Sequence, residues 1–411
     1  MLIGLEPDLS PIFALFGSAM PFFEGRCAAR PAHCQSPLQH KIVSMTPQPT
    51  HPTHLANPII RILPIGQQWP TLDPFLFCAY HDDAYPAANA DMSPKASLAG
   101  RDIGQDFSCK DGWSMYHGHS VPGFPAHPHR GFETVTVVRK GLIDHSDSLG
   151  ATARFGRGDV QWLTAGKGIV HAEMFPLLNT AAANPLELFQ IWLNLPAVSK
   201  MAEPHFTLFW ADDIPHCEVP DANGLVTHVS VIAGQLAGLN QTLQTLQTLQ
   251  TLQPLQPLQP LSPPPESWAA QAKADVAIWT LLLQPGARFT LPAANAGTRR
   301  NLYFFKGHSV TVAGQAVQSH GAIELQGDVA VELINGNIEA EFLLLQGQPI
   351  AEPVAQYGPF VMNTQAEISQ TIADYQRTQF GGWPFESHAP THGRDPARLA
   401  MHPGGRVEAP V

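Results

Sequence analysis

Four residues with metal-binding side chains stand in two close pairs, His127 with His129 and His171 with Glu173. One residue separates the members of each pair, and on a β-strand that spacing points both side chains to one face. Two such pairs on neighbouring strands aim three imidazoles and one carboxylate into a single space. This donor set suits a first-row divalent metal that prefers nitrogen and oxygen ligands. Around octahedral iron(II) it leaves two positions open, enough for dioxygen or an oxygen-donor substrate. Structural zinc would favour a closed tetrahedron, usually with thiolate, and no cysteine lies in this stretch. The plain alternative is a set of histidines satisfied in a barrel core without metal. Glu173 has two candidate roles, a fourth ligand or a general base toward a phenolic or enolic hydroxyl.

The residues between the pairs read as short strands and tight turns. Thr134 to Val138 is β-branched throughout, as strands favour. Gly141 interrupts the run, and Leu142 to His145 resumes it. Asp147-Ser148-Leu149-Gly150 supplies turn residues. Ala153 to Phe155 and Val160 to Leu163 follow as strands, and Gly166 and Gly168 bracket a turn before the strand that carries His171 and Glu173. Short strands at this spacing predict an antiparallel barrel or jelly roll, in whose interior the two pairs can converge.

Three blocks carry a resemblance: His127-Pro128-His129-Arg130-Gly131-Phe132-Glu133-Thr134-Val135-Thr136, then Gly158-Asp159-Val160-Gln161-Trp162, then Thr164 through Glu173 (TAGKGIVHAE). Together they closely resemble the pirin family of the cupin superfamily. Glu352-Pro353-Val354 through Tyr357-Gly358-Pro359-Phe360-Val361-Met362-Asn363-Thr364 is similar to the family's C-terminal signature. The resemblance spans roughly residues 58 to 382. It implies an all-β fold of two cupin (jelly-roll) β-barrels in tandem with a C-terminal helix, and a metal in the N-terminal barrel only. Its implied ligands are His127, His129, His171 and Glu173. The implied metal is Fe(II), with Mn, Co, Ni, Cu or Zn as the other divalent candidates. The implied activity is that of a quercetin 2,3-dioxygenase, a non-haem metal oxygenase acting on a small-molecule substrate and O2, with Glu173 as the catalytic residue. The rival reading is an iron-dependent regulator that binds a protein partner, a transcription factor or a metabolic enzyme.

Other residues compete for the site. His117-Gly118-His119 is a second HxH, but it lacks the downstream Glu133 context; His119 would instead line the pocket or bond a turn carbonyl. Glu133 matches the glutamate that many cupins use as a ligand; otherwise it would support a ligating imidazole from behind. Arg130 is expected to support its loop, and His145 to be a hydrogen-bonded structural histidine. Trp162 and Trp192 read as core, with pocket lining as the alternative for both.

The 411 residues have room for more than one domain. Residues 1–57 read as a disordered or spurious extension and 58–235 as the N-terminal metal-binding domain. Residues 236–270 are a low-complexity Leu/Gln/Pro loop, whose TLQ repeat has period three rather than 3.6. Residues 271–350 have the rhythm of a second cupin, and neither His308 nor His320 belongs to an HxH or HxE pair. Residues 351–382 hold the signature and a helix opened by the capping box Thr364-Gln365-Ala366-Glu367, and 383–411 form an extended tail. Net charge is −11 with only 14% charged residues, so no direct nucleic-acid binding is expected. The apolar run Pro11–Phe23 is preceded by acidic residues and is too short to span a bilayer, so no membrane role is expected. Five cysteines without a CxxC read as reduced thiols of a cytoplasmic protein.

Overall fold

The computed structural model describes residues 57–236 and 263–410. The extension before Asn57, with Cys27 and Cys34, and most of the Leu/Gln/Pro tract lie outside the described residues. In chain order the first strands are β1 (Ile59–Leu63), β2 (Phe75–Tyr85), β3 (Gly123–His129), β4 (Phe132–Lys140), β5 (Leu142–Asp147), β6 (Thr152–Gly156), β7 (Val160–Thr164), β8 (Ile169–Met174), β9 (Asn184–Asn194) and β10 (His205–Phe209). Then come β11 (His216–Pro220), β12 (Val226–Ala233), β13 (Ala277–Leu283), β14 (Arg288–Leu291), β15 (Arg299–Lys306), β16 (Val310–Val312), β17 (Gln315–Val317), β18 (Gly321–Leu325), β19 (Val331–Asn335) and β20 (Ala340–Gly347). A hairpin of β21 (Ala355–Tyr357) and β22 (Phe360–Met362) leads into α1 (Gln365–Thr378), and β23 (Leu399–Met401) and β24 (Val407–Glu408) lie in the tail.

The described residues form an all-β fold, with two cupin barrels and one C-terminal α-helix. The first barrel closes the sheet β10-β7-β4-β9-β2 against the sheet β24-β23-β6-β5-β8-β3. The second closes β1-β18-β15-β20-β13-β12-β11 against β14-β19-β16-β17. The chain crosses between them. β1, β11 and β12 precede residue 235, yet they hydrogen-bond into the second barrel's sheet. In return, the tail strand β23 pairs with β6 of the first barrel. Chain order cannot reveal these pairings, because an open sheet edge accepts whichever strand tertiary contacts bring to it.

Period-two alternation decides which side chains enter which core. Along β4, Val135 and Val137 point outward with Trp162 of β7 and Phe189 and Ile191 of β9. They meet Tyr303, Phe305, Leu343 and Leu345 on the outer face of the second barrel. This apolar seam between the barrels also buries Trp268 and Ala269, just past the undescribed tract. The second barrel's interior is filled by Leu302, Phe304, Ile323, Phe342, Leu344 and their neighbours.

The expected capping box opens α1: the Thr364 hydroxyl accepts from the Glu367 N–H, and the Glu367 carboxylate accepts from the Thr364 N–H. Ile368 and Tyr375 of this helix pack on Phe360, Phe380 and Val170, against the back of β8. The segment between β2 and β3 carries buried polar contacts of its own. It is held by a fully buried Arg101–Asp106 ion pair at 2.8 Å, with the Arg101 guanidinium 3.4 Å from the Trp113 ring centre. No described helix is long and apolar enough to cross a membrane. Cys78, Cys109 and Cys217 form no disulfide.

Candidate metal centre

β3 and β8 lie side by side, with His127 opposite His171 and His129 opposite Ile169. This register brings ring nitrogens of His127, His129 and His171 within 4.8 Å of one another. Their ring centres are 4.5 to 4.9 Å apart. All three are buried, His171 completely. Among the described residues this is the group of three or more donors close enough to share a metal ion.

The electrostatics suit ligation. Burial drives the His127 pKa down to about 4, and burial with the neighbouring rings holds His129 and His171 well below the ordinary imidazole range. All three are therefore neutral at physiological pH and keep a lone pair for a cation. His127 donates from Nδ1 to the Pro125 carbonyl at 2.8 Å, which leaves its lone pair on Nε2. His171 has no hydrogen-bond partner at either ring nitrogen, and His129 has none at Nδ1. Buried polar atoms are rarely left so, and a divalent metal among the three rings would satisfy the unpaired acceptors. The donor set fits such an ion.

Glu173 faces the same interior but stands outside the three-nitrogen group. Its Oε1 is 3.0 Å from the Thr136 hydroxyl of β4, which is also 2.8 Å from Oε1 of Gln190. One hydroxyl proton cannot serve two acceptors. The second contact is a hydrogen bond when Glu173 is protonated, or when the Gln190 amide turns its nitrogen inward. Burial raises the Glu173 pKa, opposed by His145 and by the Thr136 hydrogen bond. The carboxyl can therefore take and return a proton nearer neutrality than an exposed glutamate.

The competing residues are elsewhere. Glu133 points out of the barrel into the seam, where it accepts from Trp162 Nε1 (3.1 Å), Thr164 Oγ1 (2.8 Å) and Ser267 Oγ (2.7 Å). It is one residue out of phase with the ligand-facing side of β4, so it neither ligates nor backs an imidazole. His117 bonds the Gly104 carbonyl at 2.7 Å, and His119 lies exposed against Gly104. His145 is hydrogen-bonded at Nε2 to Asp147 at 3.1 Å, and its ring centre is 5.6 Å from that of His171. Arg130 ties the motif to the C-terminal helix, donating to the Lys167 carbonyl at 2.6 Å and to Asp374 at 2.9 Å. Gly131, with φ of +86°, allows the Val361 carbonyl to approach; a Cβ there would lie 1.9 Å from that oxygen. The two blocks of the signature are thus one packed unit.

Aromatic rings surround the centre. Phe132 and Trp192 lie 5.0 and 5.4 Å from His129, so Trp192 is a wall of the site, whereas Trp162 is core in the seam. On the other side Phe124 stands 6.4 Å from His127 and leads through Tyr116 and His117 to the exposed Phe107.

Reading motifs alone passes over Gln161, Thr136 and Gln190. The available signal was a glutamine inside each of two apolar strands, VQWLT and LFQIW.

Comparison with known proteins gives a consistent result. Residues 59–193 match the Pirin family, and 278–381 match the Pirin C-terminal cupin domain. The chain is 38% identical to "Pirin-like protein 2" of Arabidopsis thaliana over 62% of its own length and 69% of that protein's. It is 32% identical to "Pirin" of Homo sapiens over 65% and 80%. The crystal structure of a quercetin 2,3-dioxygenase from Acinetobacter baumannii superposes with a TM-score of 0.57 at 27% identity, covering 79% of this chain and 96% of that one.

Proposed function

Because the chain belongs to the pirin family, we propose that it is a metal-dependent dioxygenase acting on flavonol-like or other enolic small molecules, with iron(II) as the metal. The observation that carries this reading is the trio of buried, neutral imidazoles, with ring nitrogens of His129 and His171 unpaired, beside a carboxyl whose acidity burial has weakened. His127, His129 and His171 would hold the metal, and Glu173 would serve as a fourth ligand or as the acceptor of a substrate proton. A divalent ion held there supplies a Lewis acid with open positions for oxygen donors. Thr136 holds Oε1 of Glu173, which leaves Oε2 to take the proton of an incoming enolic hydroxyl. Phe132, Trp192 and Phe124 form apolar walls for a flat aromatic substrate and exclude water from the reacting hydroxyl. The name carried by the Acinetobacter baumannii structure supports the substrate class.

Oxygen uptake by anaerobically iron-loaded protein given quercetin tests this. We expect uptake in the wild type, none in His127→Ala, and none in Glu173→Gln, the last with much of the iron retained. Full activity in Glu173→Gln would remove that residue from the chemistry. The near closure of the site, with His129 2% and His127 6% exposed, supports a second reading, a regulator whose iron state a protein partner reads. Stoichiometric iron without any uptake would favour it.

A further inference from the structure

In the sheet that faces the histidines, Gln161, Thr136 and Gln190 lie in register across β7, β4 and β9. Directly paired residues share a face. The Thr136 contact with Glu173 shows that this face is the barrel interior. Gln161 is completely buried, yet neither its amide nitrogen nor its amide oxygen has a hydrogen-bond partner. Thr134, two residues along β4 on the same face, also has a buried hydroxyl with no partner. A buried amide with two donors and an acceptor unmet is costly, and folded proteins keep such groups where a water or a ligand meets them.

The barrel plan does not demand these residues. In the second barrel the matching row across β18, β15 and β20 is Ile323, Leu302 and Leu344. All three are buried apolar side chains. The next row of the second barrel does carry the buried polar pair Arg300 and Gln346, but the row polar on all three strands stands in the first barrel, opposite its candidate metal ligands, and marks a surface shaped for a bound molecule.

We propose that Gln161, with Thr136 and Gln190, is a substrate-positioning wall that hydrogen-bonds the oxygen substituents of the molecule presented to the metal centre. This rests on the dioxygenase reading above. Gln161 both donates and accepts, so it suits a ligand that carries a carbonyl next to a hydroxyl. It selects for oxygenated rings over hydrocarbon ones, because an apolar ligand would leave the amide unmet. Gln161 is a positioning residue; the proton moves at Glu173.

The test is an absorption titration of zinc-loaded protein with quercetin, which reads binding without turnover. Zinc stoichiometry and Tm are measured beside it for wild type, Gln161→Leu and Gln161→Met. We expect Kd to rise on the order of 10-fold or more in both variants. Zinc content should hold, and Tm should stay at or above that of the wild type, because an unmet buried amide has been removed. Unchanged Kd in either folded variant overturns the proposal, as does loss of zinc. If the wild type itself fails to bind quercetin, the flavonol reading fails. Tm then judges the wall alone: a fall in both variants makes Gln161 structural and overturns the proposal, and a rise supports a ligand-facing amide.

Discussion

The two barrels share one strand plan and differ in what they enclose. The order β7-β4-β9-β2 is matched by β18-β15-β20-β13, and β6-β5-β8-β3 by β17-β16-β19-β14. Where β3 and β8 carry His127, His129, His171 and Glu173, the paired strands β14 and β19 carry Phe289, Leu291, Val331 and Leu333. These four are buried in the second barrel's apolar core. The plan is therefore stable with an apolar filling, and the polar filling of the first barrel is a departure from it. Polar groups buried without partners lower stability; the second barrel has them at Thr227, Arg300 and Gln346, but among the described residues they stand beside a group of metal donors in the first barrel, which locates function there. The second barrel contributes a surface. Its outer sheet buries the back of the first barrel's ligand-facing sheet, and the tail strand extends the first barrel's other sheet.

This contrast can be broken or sharpened by substitution. The largest effect is expected for His171→Ala, which should abolish metal binding in elemental analysis while the second barrel stays folded by near-ultraviolet circular dichroism. Metal retained at full stoichiometry in that variant would break the contrast. Leu344→Ala in the second barrel should do the reverse. It should cost about 2–5 kcal/mol in denaturant unfolding, with metal stoichiometry unchanged. Glu133→Ala should cost roughly 1–3 kcal/mol, because the Trp162, Thr164 and Ser267 donors would lose their acceptor in the seam. It too should retain the metal, whereas a ligating glutamate would not. The smallest effect is expected for Asp374→Asn. The hydrogen bond from Arg130 holds the Asp374 pKa down to about 2. Because the folded value lies below the unfolded one, the ion pair stabilises above about pH 4 and its contribution is lost as pH falls toward 2. Its loss in the variant should lower stability at neutral pH by about 1 kcal/mol or less. The difference from wild type should vanish in acid, as Tm measured at both pH values would show.

Much of the site was legible because ligands two apart on a strand share a face whatever the rest of the chain does. The HxH and HxE spacing therefore predicted convergence, and the short strands between glycine turns predicted the barrel. The capping box at Thr364 was equally legible, because it depends on contacts within one turn. Glu133 was not. Its phase on β4 places it opposite the ligand side, but the run Thr134–Val138 is β-branched on both faces and hides the alternation. Both faces are buried, one in the barrel and one in the seam, so hydrophobicity could not tell them apart.

By itself, then, the sequence determined which side chains could ligate, where turns fall and where the helix begins, because these follow from local spacing and local hydrogen bonds. Only the tertiary structure decided that Glu133 serves the seam and that Arg130 joins the motif to the C-terminal helix. It alone set Gln161, Thr136 and Gln190 in one row before the histidines, and exchanged β1 and β23 between barrels. Each of these is settled by pairing between residues far apart in the chain, where register and burial are set by the whole fold rather than by neighbours in sequence.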